Sequence, residues 1–557
     1  MDNAFPWLAG IACYLAVLVA TWKVRYLRVP IWGATFGYAA AHISMIGGID
    51  NEYILFGVFI PAAMLGMWCV TKLALTPTLN TDSHGSADWG QQGESAQKGH
   101  AKSADNTGGE GVALARYRLI KKDQGNMDSR FWHTGHIVTC APSGSGKGIG
   151  AVIPTLLTYT GSVLALDIKG ENYAVTHQVR ERMGQSVYLL DPFQVCKASS
   201  HACNPLDRLD PNQPNIVSEA AALADMLVVS DPTKSDHWDD SAKDFIRGLL
   251  VYCSTLPEGQ RTLVKLREIL TLPRGALEDI LVIMQGQPEV AYGQIYRAAN
   301  TFLAKEDKER SGVLSTALRH TSFLDDPRIA DSLSRSDFNI SQLKKMKMTV
   351  YIAMPPEKLN VYARFIRCIL GQALSGMTDS TDTPEQKVVF VLDEFAQLGR
   401  VSCIEDGISL LRGYGATIWV FLQDLSQLKA VYPKWQTFLA NSAKHFYGTA
   451  DIDTARYISD SLGQSTIFVQ STSESRSDDP NRIFSTTTTG TGVNPQSRAL
   501  LTPDEVMRLP SEQCLILIAG EKPYMLPRLN YLVDPEYQYL YGPNPYHADL
   551  TEKEVCV

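Results

Sequence analysis

His136-Ile137-Val138-Thr139-Cys140-Ala141-Pro142-Ser143-Gly144-Ser145-Gly146-Lys147-Gly148 is the stretch on which the reading of this chain turns. His136 to Cys140 is short, apolar and partly β-branched, the pattern of a buried strand. From Ile149 to Thr160 the residues read as the opening of a helix. In the loop between them, glycines leave room for backbone N–H groups to converge on phosphate oxygens. The helix N-terminus adds partial positive charge, and the Lys147 ammonium can reach β and γ oxygens. Strand, loop and helix of this kind form the phosphate-cradling unit of nucleoside-triphosphate hydrolases. Pro142, Ser143, Gly144, Ser145, Gly146, Lys147, Gly148 and Ile149 are therefore the expected nucleotide-binding residues. Two positions depart from the pattern G-x-x-x-x-G-K-[ST]. Ala141 replaces the first glycine, and Gly148 stands where a hydroxyl would meet Mg2+.

Further strands running into carboxylates follow. Ser162 to Asp167 is one, with Lys169-Gly170-Glu171 at its carboxyl end, where α/β sheets bind ligands. Ser186 to Pro192 is another, and Met348 to Met354 a third. Their alternation with helical segments predicts a mainly parallel sheet with helices on both faces. Lys387-Val388-Val389-Phe390-Val391-Leu392-Asp393-Glu394 supplies the second half of a hydrolytic site. Asp393 is expected to hold Mg2+ directly or through water, and Glu394 to polarise the attacking water. A strand that merely ends in acids is the plain alternative, and the upstream lysine loop argues against it. Gln423 closes the strand Thr417 to Gln423, where it would position that water or sense the γ-phosphate. Arg412, beside a Gly-rich turn, is either a surface arginine or a finger acting across a subunit boundary, with Arg364 and Arg367 as rivals.

The chain of 557 residues has room for several structural units, and its 45% apolar and 20% charged residues fit a folded protein. A net charge of −8 argues against a generally basic nucleic-acid coat and leaves a local basic channel open. The 10 cysteines are scattered without C-x-x-C pairs or zinc spacing, which argues against a disulfide or metal framework. The expected organisation is a transmembrane anchor over 1–75, a linker and lead-in over 76–110, and a nucleotide-binding domain in two parts, 111–212 and 348–535. An all-α insertion fills 213–347, and a polar tail closes the chain over 536–557.

Within the anchor, Pro6 to Trp22 and Tyr53 to Val70 are apolar runs near bilayer length, and Pro30 to Ile49 is a third candidate. Lys23, Arg25, Arg28 and Lys72 favour three spans, with everything after Lys72 cytoplasmic. A cleaved leader competes for the first run but lacks a basic n-region. Gln91 to Gly109 reads as a flexible tether. In the insertion, His237-Trp238-Asp239-Asp240 reads as a helix start with packing of the tryptophan. Lys344-Lys345-Met346-Lys347 and Lys121-Lys122 are candidate phosphate contacts for nucleic acid, or solvated charge. Ser471 to Asn494 reads as an exposed loop or hairpin, and Gln513 to Ala519 as a last strand.

These pieces, in this order, resemble the type IV secretion coupling proteins, the TraG-type conjugative ATPases. The resemblance rests on His84-Gly85-Ser86-Ala87, Ser145-Gly146-Lys147-Gly148, Asp167-Ile168-Lys169-Gly170-Glu171 and Asn204-Pro205-Leu206-Asp207. It continues through Asp393-Glu394-Phe395 with Leu398-Gly399, Gln423 with Leu425-Ser426-Gln427, and Leu501-Thr502-Pro503-Asp504-Glu505-Val506. It runs from about residue 84 to 530. That family carries glycine where Gly148 stands. Asp88 departs from it, since a basic residue is usual there, and the family's usual two spans differ from the three counted from charge. The resemblance implies a RecA-like, homo-hexameric ATPase embedded in the cell inner membrane, multi-pass, with its bulk in the cytoplasm. ATP and Mg2+ would be its cofactors. It would hand a relaxase bound to single-stranded DNA, or protein effectors, to inner-membrane components of a type IV secretion channel. A nucleotide-regulated docking platform that does no transport work is the third alternative.

Overall fold

The computed structural model describes residues 82–103, 111–121, 125–229, 237–477 and 486–547. The expected anchor over 1–75 lies outside the described residues. Among the described residues, no helix is long and apolar enough to cross a membrane.

Among the described residues the first strands form a small antiparallel sheet: β1 (Ala101–Ser103), β2 (Val112–Lys121) and β3 (Gly125–His133), in the order β1-β3-β2. The main sheet then builds from β4 (His136–Cys140), β5 (Val163–Asp167), β6 (Ser186–Leu190), β7 (Met348–Ala353), β8 (Val388–Leu392), β9 (Ala416–Leu422) and β10 (Ser442–Phe446). A long two-stranded hairpin, β11 (Gln464–Ser477) with β12 (Thr486–Ala499), interrupts it before β13 (Gln513–Leu517) and β14 (Tyr524–Pro527). The main sheet has nine strands in the order β14-β13-β10-β4-β9-β8-β5-β7-β6. All pairs from β10 to β6 are parallel; at one edge β13 alone is reversed, so the β10–β13 and β13–β14 pairs are antiparallel. The α/β class with a mainly parallel sheet is what the strand pattern predicts.

The parallel strands were legible because they are buried on both faces and so read as unbroken apolar runs. Alternate residues serve opposite cores. Leu164, Leu166, Phe390, Leu392, Val420 and Leu422 face one core. Val163, Ala165, Val389, Val391, Trp419 and Phe421 face the other, where Val152 and Leu156 of the helical segment after the lysine loop pack.

Between β6 and β7 the described residues contain helices and no strand, including Ile216–Leu227, His237–Ser254, Asp307–Thr321 and three more of eight residues or longer. These helices pack mainly on one another, and their apolar core is continuous with that of one sheet face. Leu227, Ile246, Leu249 and Phe323 belong to the same apolar cluster as Phe390 and Leu392 of the sheet. The helix Ile216–Leu227 packs against Ala363–Thr378 and joins the segment to the sheet's apolar cluster.

One expectation of flexibility is corrected. Gln91 to Gly109 is not a tether over its described part: Gln92–Gln97 is a helix and Ala101–Ser103 pairs with β3. Polar side chains hold it. His100 bonds the Trp132 carbonyl at 2.9 Å and the Glu521 carboxylate at 3.0 Å, and stacks on Phe131. The polar tail and the residues just before it fold back onto the chain as far as residue 547. Tyr537 and Asp534 are fully buried, Asp534 ion-pairs with Arg116, and the Arg130 guanidinium lies over the Tyr537 ring. Composition alone misses both because hydrogen bonding and single aromatic anchors, not apolar runs, order these segments.

Candidate nucleotide-binding site

β4 is fully buried and carries the loop out at the carboxyl end of the sheet. The Ala141 N–H donates to the Leu422 carbonyl at 2.8 Å, which ties the loop to the end of β9 beside Gln423. The Ser145 N–H turns back to the Pro142 carbonyl at 3.1 Å. Gly144 (φ +75°) and Gly146 (φ +80°) take the left-handed backbone that side-chain-bearing residues resist, and no atom lies within 4 Å of where a Cβ would stand on either. That open, N–H-lined concavity is the shape that cradles phosphate. The helix begins with one π turn over Gly148–Val152 and continues as α-helix over Ile153–Thr158.

Opposite the loop, β8 ends in Asp393 and Glu394. Lys147 Nζ lies 2.6 Å from Asp393 Oδ1 and 2.7 Å from Glu394 Oε1, although 247 residues separate Lys147 from Glu394. Gln423 at the tip of β9 donates to Glu394 Oε2 at 3.3 Å, and Gln397 donates to the same oxygen at 3.3 Å. The strand order β4-β9-β8 explains the meeting, because adjacent parallel strands deliver their carboxyl ends to one edge. Burial penalises the Lys147 charge, but the two carboxylates outweigh it and raise its pKa. Burial and the neighbouring Glu394 charge raise the Asp393 carboxyl, only partly offset by Lys147. One ammonium shared by two carboxylates leaves a net negative, oxygen-rich point at the mouth of the loop.

The donor chemistry fits Mg2+, which takes one or two carboxylates and fills its shell with phosphate oxygens and water. Among the described residues no group of three or more His, Cys, Asp or Glu forms a metal cage, so phosphate and water would have to complete that shell.

Of the residues picked from sequence, Lys147, Asp393, Glu394 and Gln423 come together. Arg412 does not join them. It is exposed and lies near His133 and Lys387, at the end of the sheet where β4 and β8 begin. Its rivals are committed within the chain. Arg367 is buried and donates to the Met226 carbonyl at 3.1 Å and the Leu398 carbonyl at 2.6 Å. Arg364 donates to the Leu227 carbonyl at 3.1 Å and meets His320 at 3.0 Å.

Arg528 was missed. It reaches from the residue after β14 to the Ser145 carbonyl at 2.7 Å, the Tyr447 carbonyl at 2.6 Å and the Gln513 carbonyl at 2.7 Å, and stacks on the Tyr447 ring. A lone arginine in Leu526-Pro527-Arg528-Leu529 gives no sequence signal for this; only the fold brings it under the loop.

A match to the family described as "Type IV secretory system Conjugative DNA transfer" covers residues 88–551. The chain belongs to that family. Protein VirD4 of Rhizobium radiobacter is 30% identical over 491 residues, covering 83% of this chain and 66% of that protein. Conjugal transfer protein TraG of Escherichia coli is 28% identical over 405 residues, covering 68% of this chain and 62% of TraG. This chain thus spans about two thirds of the length of those relatives. Among solved structures, the coupling protein TrwBdeltaN70 in complex with sulphate superposes with a TM-score of 0.58 at 14% identity, over 81% of this chain and 95% of that one. Plasmid coupling protein TrwB in complex with ADP and Mg2+ gives 0.53 at 16% identity, over 70% of this chain and 84% of that one. At these identities the likeness establishes a shared α/β fold. The resemblance to TraG-type coupling proteins read from the motifs is what the family match finds.

Proposed function

We propose that this protein is a membrane-anchored, oligomeric ATPase that couples a relaxase–single-stranded DNA complex to a type IV secretion channel during conjugative transfer. The observation that carries the ATPase part is the meeting of Lys147 with both Asp393 and Glu394 at 2.6 and 2.7 Å. Family membership, and relatives whose names are those of conjugal-transfer and coupling proteins, support the transfer part.

In this reading the N–H groups of Gly144 to Gly148 and the Lys147 ammonium bind the triphosphate. Asp393 would hold a Mg2+ ion bound with the nucleotide, which would supply charge neutralisation to the phosphates. Glu394 accepts the proton of the attacking water, a task that needs its carboxylate free of Lys147 once phosphate draws the ammonium away. Gln423, already hydrogen-bonded to Glu394, orients that water. Arg412, exposed and remote from its own loop, serves a neighbouring subunit.

One observation bears on the second reading, delivery of protein effectors: it removes one candidate DNA contact, while Lys345 and Lys347 of the same run are exposed. Lys344, the first of the candidate DNA-contacting lysines, is buried and donates to the Met377 carbonyl at 2.9 Å and to the Ser380 carbonyl, closing the helix Ala363–Thr378. It is therefore spent on structure. Lys121 and Lys122 have no described side chains.

The deciding measurement is ATP turnover of the purified full chain with and without single-stranded DNA across a salt series. Stimulation that fades as salt rises supports DNA as cargo. Robust turnover indifferent to DNA supports protein cargo, and no turnover with intact nucleotide binding supports a docking platform.

A further inference from the structure

Gly148 lacks the hydroxyl that the common loop pattern offers to Mg2+, yet the space beside it is faced by an oxygen. A Cβ built on Gly148 would meet only one atom within 4 Å, Glu171 Oε2 at 3.9 Å. Glu171 opens the helix Glu171–Arg182 that follows β5, two strands away from β9 on the carboxyl edge that holds the site. An acid in a first helical turn is ordinary on its own, because the helix dipole favours it. Here the carboxylate is also fixed from behind. Asn544, only 1% exposed, donates to Glu171 Oε1 at 2.7 Å. Its amide is held in turn by the Tyr531 hydroxyl at 2.6 Å and by the Tyr546 N–H at 2.8 Å, and the Tyr546 hydroxyl donates to the Lys169 carbonyl at 3.0 Å. One carboxylate oxygen is thus tied to a buried amide, and the other is left directed at Gly148.

We propose that Glu171 is a positioning residue for the Mg2+ of this site: its Oε2 orders the metal's water shell from the place a Ser or Thr hydroxyl would otherwise serve, and Asn544 holds it there. The pairing of a glycine with a facing carboxylate exchanges a hydroxyl on the loop for an acid on the neighbouring helix. Carboxylates bound through water are an ordinary means of holding Mg2+, and partners outside the first coordination shell commonly change metal affinity 10- to 100-fold. The proposal rests on the nucleotide-binding reading above.

The test is a titration of MgCl2 into the full chain with a fluorescent ATP analogue, beside the same binding measured in EDTA. Glu171→Gln should raise the half-saturating Mg2+ concentration about tenfold and leave binding in EDTA unchanged. Asn544→Ala should shift it in the same direction by less, and Glu171→Asp should fall between Glu171→Gln and wild type. Gly148→Ser added to Glu171→Gln should move the midpoint back toward wild type, since the position has room for a side chain. An unchanged Mg2+ midpoint in Glu171→Gln overturns the assignment. So does equal weakening with Mg2+ and in EDTA, which marks a purely structural role, or a double variant that stays at the Glu171→Gln value. If wild-type protein binds no nucleotide, the functional reading itself fails. If wild type binds with Mg2+ and Glu171→Gln matches it, only the role of Glu171 fails.

Discussion

Glu394 holds a backbone φ of +48°, a left-handed conformation that costs a residue with a Cβ about 1–3 kcal/mol and persists only where its surroundings enforce it. Those surroundings are visible. Its N–H donates to Asp393 Oδ1 at 2.9 Å, Lys147 takes one carboxylate oxygen, and two glutamine amides approach the other. The strain turns the carboxylate back toward the lysine loop instead of out along the strand. Removing only the charge tests its role. Glu394→Gln should keep ATP binding and lower single-turnover hydrolysis by about 10^2- to 10^4-fold, the usual span for loss of a general base. Lys147→Ala should lose hydrolysis together with tight triphosphate binding; normal turnover in that variant would remove the site assignment. At this scale the types and spacing of Lys147, Asp393, Glu394 and Gln423 were readable, because triphosphate chemistry restricts which residues can follow such strands. The roles of Lys344, Arg367 and Arg528 were not, since an arginine or lysine that caps carbonyls looks in sequence like one that faces solvent.

Elements near the edge of the sheet carry the next set of consequences. Arg528 joins the loop, the end of β10 and β13 through three backbone carbonyls, and charge-assisted bonds of this kind contribute about 1.5–3 kcal/mol each. Arg528→Ala should leave those carbonyls unpaired, lower the melting temperature by several degrees and weaken nucleotide binding at least about tenfold. Arg528→Lys should rescue little, because one ammonium cannot span the fork that a guanidinium fills. Calorimetry and nucleotide titration together check both.

Strands of the small and main sheets also carry histidines shielded from water. Burial, with Arg528 nearby, pushes His445 on β10 down to about 3. Burial pushes His136 on β4 down to about 4 and His133 on β3 down to about 3. Unfolded histidines titrate near 6.5, so this contribution to stability is complete above about pH 6.5 and is lost as pH falls toward those folded values. Asp167, raised to about 7 by burial, works the other way, its contribution being lost as pH rises through 7. Burial holds His320 down as well and raises Asp393 like Asp167, so four histidines against two aspartates predict a melting temperature that drops between pH 6.5 and 4.5. His445→Gln should flatten that slope, and an unchanged slope would remove His445 from the account.

For the whole molecule, the question is what completes the site. Arg412 is exposed at the far end of the sheet from Lys147, while Arg364 and Arg367 are tied to carbonyls and His320 inside the chain. A finger from Arg412 can therefore only act between copies. Arg412→Ala and Lys147→Ala proteins should each be inactive, and mixing them should restore part of the ATPase activity. An intact Lys147 site on one copy would then face an intact Arg412 on the next. Mixtures that stay inactive while each variant still assembles would exclude that arrangement. The helices between β6 and β7 share the sheet's apolar core. Leu249, fully buried among those helices, should cost about 2–5 kcal/mol of stability when cut to alanine, read as a lower melting temperature of the full chain.

From the sequence alone came the parallel strands, the helical stretch between β6 and β7, and the four side chains that converge. Continuous apolar runs and a glycine-lysine loop are local patterns that do not depend on the rest of the chain. Tertiary structure alone decided which distant polar groups meet: Arg528 under the loop, Asn544 behind Glu171, and a lead-in and tail that fold back onto the sheet. Those pairings are hydrogen bonds between segments hundreds of residues apart, and a single polar residue carries no periodicity by which its partner could be foreseen.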